Sequence, residues 1–350
     1  MNFADLDWRI LDRLRSTFLQ ENFSPAAYWQ SHRDLAQYHV TFGERIGWKW
    51  DAVLEELRDI GWAPPAGVDT LIDWGCGSGV AGERVLRQYP QLQRACVNDA
   101  SPLAMEFAVQ QIRRLHPSAE ARPWAGNNAQ GCVLVISHVW NELSTEQRVD
   151  LLKLASTAAA VLWVEPGTHD TARDLQTVRD HFRPAFDIVA PCTHQAACGM
   201  LATGNERHWC HHFAAPPSEV FISSDWSRFA DRAGIDLRSL PYSFLVAERR
   251  DESAPPRPDN GWERLLGRAR MSKPYARVLC CGVNGLCDTE VTKRFHPEWM
   301  KVFKRGEEPR RLQITRDGTR AVTIHPGPPR PSTDSATEPD DQGNPILPVP

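Results

Sequence analysis

The segment AspTrpGlyCysGlySerGly at 73–79 places Asp73, Gly75, Cys76, Gly77 and Gly79 in one turn, and Asp99 follows about twenty residues later. Glycines at these spacings permit positive φ and close backbone approach, which a nucleotide needs at a helix N-terminus. An acid at the end of the next strand can accept both hydroxyls of a ribose. The chemistry is therefore that of a nucleotide-type cofactor. NAD is one reading, because GlyCysGlySerGlyValAla at 75–81 can be forced toward the dinucleotide fingerprint. The acid and tryptophan that precede the glycines argue against it.

Cysteines make a second set. Cys192 and Cys198 are separated by five residues, and Cys210 follows after eleven more, in a stretch rich in Pro, Gly and His. Such a segment suits a loop that wraps an ion, and a closed site needs a fourth ligand. CysCysGlyValAsnGlyLeuCys at 280–287 can supply it. Tetrahedral zinc prefers thiol pairs two to four residues apart, and 192–210 holds none, so the longer unequal spacings suit an iron–sulfur cluster better. His194, His208, His211 and His212 keep zinc open. Nine cysteines, an odd number, do not read as a disulfide framework. Cys132, at the start of an apolar run, reads as a small buried hydrophobe rather than a nucleophile.

Positioning these groups falls to a chain of 350 residues, long enough for two or three modules. Apolar residues recur at helical spacing from Asp7 to Trp62, which predicts an N-terminal helical module over 1–62. AlaProProAlaGly at 63–67 ends it. Strands and helices then alternate: a strand before Gly75, a helix near 80–89, a strand at 94–98, a helix at 102–115, a strand at 132–137, a helix at 144–159 and a strand at 161–165. This predicts an α/β doubly wound, Rossmann-like sheet over 68–185. A cysteine-rich insert with the remaining strands is expected over 186–250, a metal-stapled, strand-containing basic region over 261–325, and a disordered Pro-rich tail over 326–350. The total charge of −4 announces no nucleic acid, and no DNA partner is expected. Yet 261–320 carries fourteen Lys and Arg against seven Asp and Glu, a local basic patch. No apolar run reaches bilayer length, the N-terminus lacks an apolar signal core, and Asp5 and Asp7 do not suit a mitochondrial presequence, so a cytoplasmic protein without a membrane partner is expected.

A strand that ends in an acid and runs into G-x-G-x-G resembles motif I of class I S-adenosylmethionine (SAM)-dependent methyltransferases, in which the acid helps orient the ligand's amino-acid end. The strand at 132–136 runs into SerHisValTrpAsnGluLeu, not the Asn/Asp-Pro-Pro-aromatic signature with which amino methyltransferases hold a target nitrogen. Asn141 and Glu142 either face the ligand or cap a helix.

Taken with ValGluProGlyThr (164–168), AlaProCysThrHis with Cys198, TrpCysHisHisPhe (209–213) and the LeuCysCys segment ending at Gly285, these pieces resemble one family. It is the methyltransferase-like proteins associated with the small ribosomal subunit, comprising mitochondrial ribosome assembly factors and bacterial relatives. The resemblance implies a Rossmann-like domain that binds SAM through Asp73, Gly75, Cys76, Gly77, Gly79 and Asp99, with Ser137 and Asn141 beside them. It implies a four-cysteine iron–sulfur site, 4Fe-4S, with Cys192, Cys198, Cys210 and Cys281 as ligands and Cys280 as a rival for the fourth. It also implies association with small-subunit rRNA, either as a methyltransferase or as an inactive assembly or translation factor.

Overall fold

The structure is a computed structural model, and it describes residues 6–18, 28–251, 253, 261–306 and 309–327. The tail expected from 326 onward therefore lies almost wholly outside the described residues. Helices α1 (Trp8–Phe18), α2 (His32–Tyr38) and α3 (Glu44–Asp59) form the N-terminal module, with a π-helical turn at His39–Gly43 joining the last two. Their apolar stripes meet the sheet domain. Trp50, Val53, Leu54 and Leu57 of α3 enter its larger core, while Leu14 and Leu35 pack on Ala104 and Phe107.

The sheet domain runs β1 (Thr70–Trp74), α4 (Val80–Gln88), β2 (Arg94–Asn98), α5 (Pro102–Leu115), β3 (Glu120–Pro123), β4 (Cys132–Ser137), α6 (Thr145–Ala155), β5 (Ala160–Pro166), α7 (His169–Phe182), β6 (Phe186–Ala190), β7 (His212–Ala214), α8 (Glu219–Ile222), α9 (Ser224–Ala233) and β8 (Leu240–Arg249). The strands line up as β3-β2-β1-β4-β5-β8-β6, with β7 pairing β8. The first five are parallel, and β8 runs antiparallel to β5 and β6. This is the doubly wound architecture expected from the alternation. Central strands such as β4 and β5 are near-continuous apolar runs because helices cover both faces. Separate cores lie on the two faces, one around Val133, Leu162 and Phe244 and the other around Leu134, Trp163 and Phe182. Strand order reverses beside β1, so the carboxyl ends of β1, β2 and β4 open a crevice there, where such sheets bind ligands.

The basic region is a module of its own. Strands β9 (Glu263–Met271), β10 (Tyr275–Gly282), β11 (Gly285–Thr292), β12 (Arg311–Asp317) and β13 (Arg320–Pro326) close into a barrel, with α10 (Pro297–Arg305) between β11 and β12. A three-strand meander, a helix and two further strands, closed by a parallel β11–β13 contact and an antiparallel β12–β9 contact, form the five-stranded OB arrangement. Strands were expected here, and a metal staple was expected to hold them. The barrel instead closes on its own core of Leu265, Val278, Val291, Phe303, Leu312 and Ile324. Burying each such side chain is worth roughly 1.5–3 kcal/mol. A buried ion pair ties the barrel to the N-terminal module: Arg264 on β9 donates to both carboxylate oxygens of Glu56 on α3, and each side chain is 3% exposed.

Candidate functional site

Motif I forms the floor of the crevice. Gly75 and Cys76 donate their N–H groups to Asn98 O at 2.8 and 2.9 Å, which locks the turn to the end of β2. Asp99 accepts from Gly77 N at 2.9 Å and from Ser101 N at 2.9 Å, so the acid is held by backbone rather than by a cation. Asp73 is fully buried beneath the turn and accepts from Gly82 N at 3.0 Å. Its second oxygen, Oδ1, is buried and has no hydrogen-bond partner. Burial pushes the Asp73 carboxyl up to about 7 and raises Asp99 as well, the backbone N–H groups opposing both shifts. Gly75 has φ +71°, and a Cβ there would lie 2.4 Å from Val139 Cγ1, so only glycine lets the turn and the 138–140 loop approach. Gly77 instead faces open space.

A cavity of about 340 Å³ stands on this floor. Gly75, Cys76, Gly77, Ser78 and Asp99 line it from the turn, Ser137, His138 and Glu142 from the end of β4, and Phe18, Tyr28, Trp29 and Tyr38 from the N-terminal module. Of the cofactor residues expected from the sequence, Gly75, Cys76, Gly77, Asp99 and Ser137 are thus brought together around one space, with Asp73 and Gly79 beneath it. Gly79 begins α4, where a Cβ would meet Ala108 Cβ at 2.9 Å. Asn141 stands apart. Its Oδ1 accepts from Thr171 Oγ1 at 2.9 Å, and its neighbour Glu142 takes the place on the wall.

Sequence reasoning missed a polar group behind that wall. His138 follows β4 with φ +57°, the one positive φ of a non-glycine among the described residues. Its Nε2 lies 3.0 Å from Lys49 Nζ on α3, and its Nδ1 lies 3.2 Å from Ser137 Oγ. Burial, then nearby Arg45, lowers Lys49 to about 7, while burial and Lys49 hold His138 well below its ordinary value. Glu165, fully buried and pushed up to about 7 by burial, accepts from Trp163 Nε1 at 2.8 Å and from Trp140 N at 3.2 Å, and so fixes the loop that carries His138. A neutral imidazole against an amine that titrates near neutrality can hold or release one proton at the cavity edge. The signal in sequence was a lysine set between Trp48 and Trp50 on a helix that buries both rings.

The four expected thiols share a second neighbourhood. Cys192 and Cys198 follow β6, Cys210 precedes β7, and Cys281 lies on β10. Burial raises Cys198, Cys210 and Cys281, and next in each case comes repulsion from Cys192, with Cys198 adding to it at Cys210 and Cys281. Gly199 touches the β10–β11 turn so closely that a Cβ would lie 2.8 Å from Gly285 Cα. Arg179 of α7 holds this loop by donating to Ala196 O at 2.6 Å and His194 O at 3.1 Å, and its charge faces Cys192. Cys280, the rival ligand, points into the barrel core. His194 Nε2 stands 4.0 Å from Cys281 Sγ, and His212 Nε2 stands 3.6 Å from Cys210 Sγ. The donor chemistry is that of a soft-metal site, but the thiols are not drawn to ligand distance: among the described residues, no group of three or more His, Cys, Asp or Glu is arranged to hold a metal ion.

No helix among the described residues is long and apolar enough to cross a membrane. No curated protein matches the chain. Among solved structures, a magnesium protoporphyrin IX methyltransferase from Synechocystis, solved with bound SAM, is 12% identical over 69% of this chain and 91% of its own, with a TM-score of 0.37. An O-methyltransferase family protein from Burkholderia thailandensis is 16% identical over 72% and 71%, with a TM-score of 0.36. Residues 44–309 match the family model described as mitochondrial small ribosomal subunit Rsm22. That match reaches from the start of α3, through the glycine turn and the four cysteines, to the doorstep of β12, well over half of the chain, and the protein belongs to the Rsm22 family.

Proposed function

We propose that the chain is a SAM-binding protein of methyltransferase fold that acts on the small ribosomal subunit at its rRNA. The observation that carries this reading is the cavity on the glycine turn, with the Asp99 carboxylate at its edge and the unpartnered Asp73 oxygen beneath. SAM, when bound, supplies a methyl group on a sulfonium. The chain's residues do the rest. Asp99 is placed to take ribose hydroxyls, Asp73 can attract a cationic amino end through the turn, and the aromatic wall of Tyr28, Trp29 and Tyr38 excludes water. His138, backed by the buried Lys49, can hold a proton at the cavity wall.

The same reading assigns Cys192, Cys198, Cys210 and Cys281 to a 4Fe-4S cluster, with zinc as the alternative. Their convergence between the sheet domain and the barrel supports it, as does the cationic Arg179 beside Cys192, since thiolates that repel one another need positive charge nearby. An anaerobic absorption spectrum with iron, sulfide and zinc analysis separates the cases: brown absorbance with iron and sulfide, lost in Cys192→Ser, means a cluster, and zinc without sulfide means a structural staple.

A second reading, a non-catalytic assembly or translation factor, is favoured by the β4 exit, where His138 and Val139 stand in place of the Asn/Asp-Pro-Pro-aromatic signature. Sedimentation with small subunits, together with transfer of a labelled methyl group to their rRNA, distinguishes the two. Co-sedimentation with transfer supports the enzyme, co-sedimentation without transfer supports the factor, and neither result would remove the ribosomal assignment.

A further inference from the structure

The barrel is an OB arrangement, and such barrels bind single-stranded oligonucleotides on the face of their second and third strands and the flanking loops. Here those strands are β10 and β11. The half of their outer face near Gly282–Gly285 is taken, because Gly199 of the cysteine segment packs on Gly285, and His208 lies within electrostatic reach of Arg270 and Asp288. Among the described residues, the opposite end makes its hydrogen bonds only within the barrel module. There the β9–β10 turn and the segment after β11 are joined, with Lys293 N donating to Pro274 O at 2.9 Å. Lys273, Lys293 and Arg294 meet at this rim, and among the described residues none of them has a carboxylate partner. Rings stand among the charges: Phe295 is 60% exposed with the Arg294 guanidinium 5.6 Å from its centroid. The half-buried Tyr275 ring has Arg277 5.7 Å from its centroid, although that arginine is shared with Asp288 and Glu290 at 3.6 and 3.7 Å.

We infer that this rim, built from Lys273, Tyr275, Lys293, Arg294 and Phe295, binds single-stranded RNA. Lys273, Lys293 and Arg294 beside the exposed Phe295 ring are what such a strand requires, since the cations neutralise phosphates and the ring stacks on a base whatever the sequence. A duplex hides its bases and leaves Phe295 nothing to stack on. A protein partner would gain little from unpaired lysines around one ring. The inference rests on the rRNA reading above and gives it a location, on a different module from the cofactor cavity.

The test uses the full chain and a fluorescein-labelled single-stranded RNA of about 12 nucleotides, within the span an OB barrel covers. Fluorescence anisotropy is recorded over a salt series, with SAM calorimetry on the same preparations. Phe295→Ala should weaken binding by about 5- to 150-fold, the range for one lost stacked base. Lys293→Glu with Arg294→Glu should flatten the slope of log K against log salt by about 0.7 for each phosphate released. SAM affinity should stay unchanged in both. Binding equal to the unaltered chain in both variants, with the same salt slope, would overturn the inference, as would tighter binding to a duplex of the same sequence. Rim-dependent RNA binding in a chain that takes no SAM would uphold it while the cofactor reading fails, and SAM binding with RNA binding indifferent to the rim would do the reverse.

Discussion

Removing one partner of the Glu56–Arg264 pair should cost more than any surface change. Both side chains are 3% exposed, and the guanidinium donates to both carboxylate oxygens, so no water stands ready to replace either group. Arg264 also lies 3.2 Å from His212 Nδ1, so without Glu56 its charge would be unbalanced, while Glu56 without Arg264 would keep only the long 3.9 Å contact to Arg310. Breaking a buried pair from one side costs about 3–5 kcal/mol, because the remaining charge is left desolvated. At about 2–4 °C per kcal/mol for a body of this size, Glu56→Gln or Arg264→Met should lower Tm by roughly 6–20 °C. The double variant Glu56→Leu with Arg264→Met removes both charges and should recover most of that loss. Thermal unfolding followed by circular dichroism measures all three, and limited proteolysis reports whether the barrel comes away first. Single variants that lose less than about 2 °C, or a double variant that loses the sum of both, would refute the argument that the pair is desolvated and mutually dependent.

Three further outcomes are expected. Gly75→Ala puts a methyl group 2.4 Å from Val139 Cγ1 at a φ of +71°, and should destabilise the chain by about 1–3 kcal/mol and weaken SAM binding, measured by denaturant titration and calorimetry. Asp73 is raised to about 7 in the free protein, so a cationic ligand end that favours the ionised carboxylate must displace its proton below that pH. SAM affinity should therefore fall by up to about tenfold from pH 8 to pH 6 in the wild type and stay flat in Asp73→Asn, with proton release seen as buffer-dependent heat. Lys49, lowered by burial to about 7, binds less proton folded than unfolded between about 7 and 10.5, so its contribution to stability climbs with pH across that window; Lys49→Met should remove a climb of roughly 4 kcal/mol from urea midpoints recorded between pH 7 and 10.

The parallel core of the sheet was legible because β1, β4 and β5 are apolar runs punctuated by Gly, Pro and capping residues, and Ser144 with Gln147 forms a capping box at the start of α6. β3 was not legible: GluAlaArgPro is a short, polar edge strand, and three of its four residues are exposed. The strands of the barrel were expected, but its closure was not legible, for a related reason. Its strands mix arginines with small apolar residues, as in GluArgLeuLeuGlyArgAlaArgMet of β9, and closure depends on the β11–β13 and β12–β9 pairings, which no local pattern encodes. The glycine turn and Asp99 could be read from spacing. Lys49 could not be placed, because its partner His138 lies 89 residues away and only the packing of α3 across β4 brings them together. The cysteines of 192–210 announce a loop, yet sequence cannot tell that Cys280 enters the barrel core while its neighbour Cys281 faces the other side of the barrel wall.

The most direct test of the cofactor site is calorimetric titration of SAM into the purified chain and into Gly77→Asp, whose carboxylate would enter the open space above the turn beside Asp99. Saturable binding of one SAM per chain is expected, abolished by Gly77→Asp in a chain that still melts cooperatively, at a Tm lowered by a few degrees because the φ of +49° costs an aspartate about 1–2 kcal/mol. No heat and no thermal shift with SAM in the folded wild-type chain, or equal binding in the variant, would contradict it.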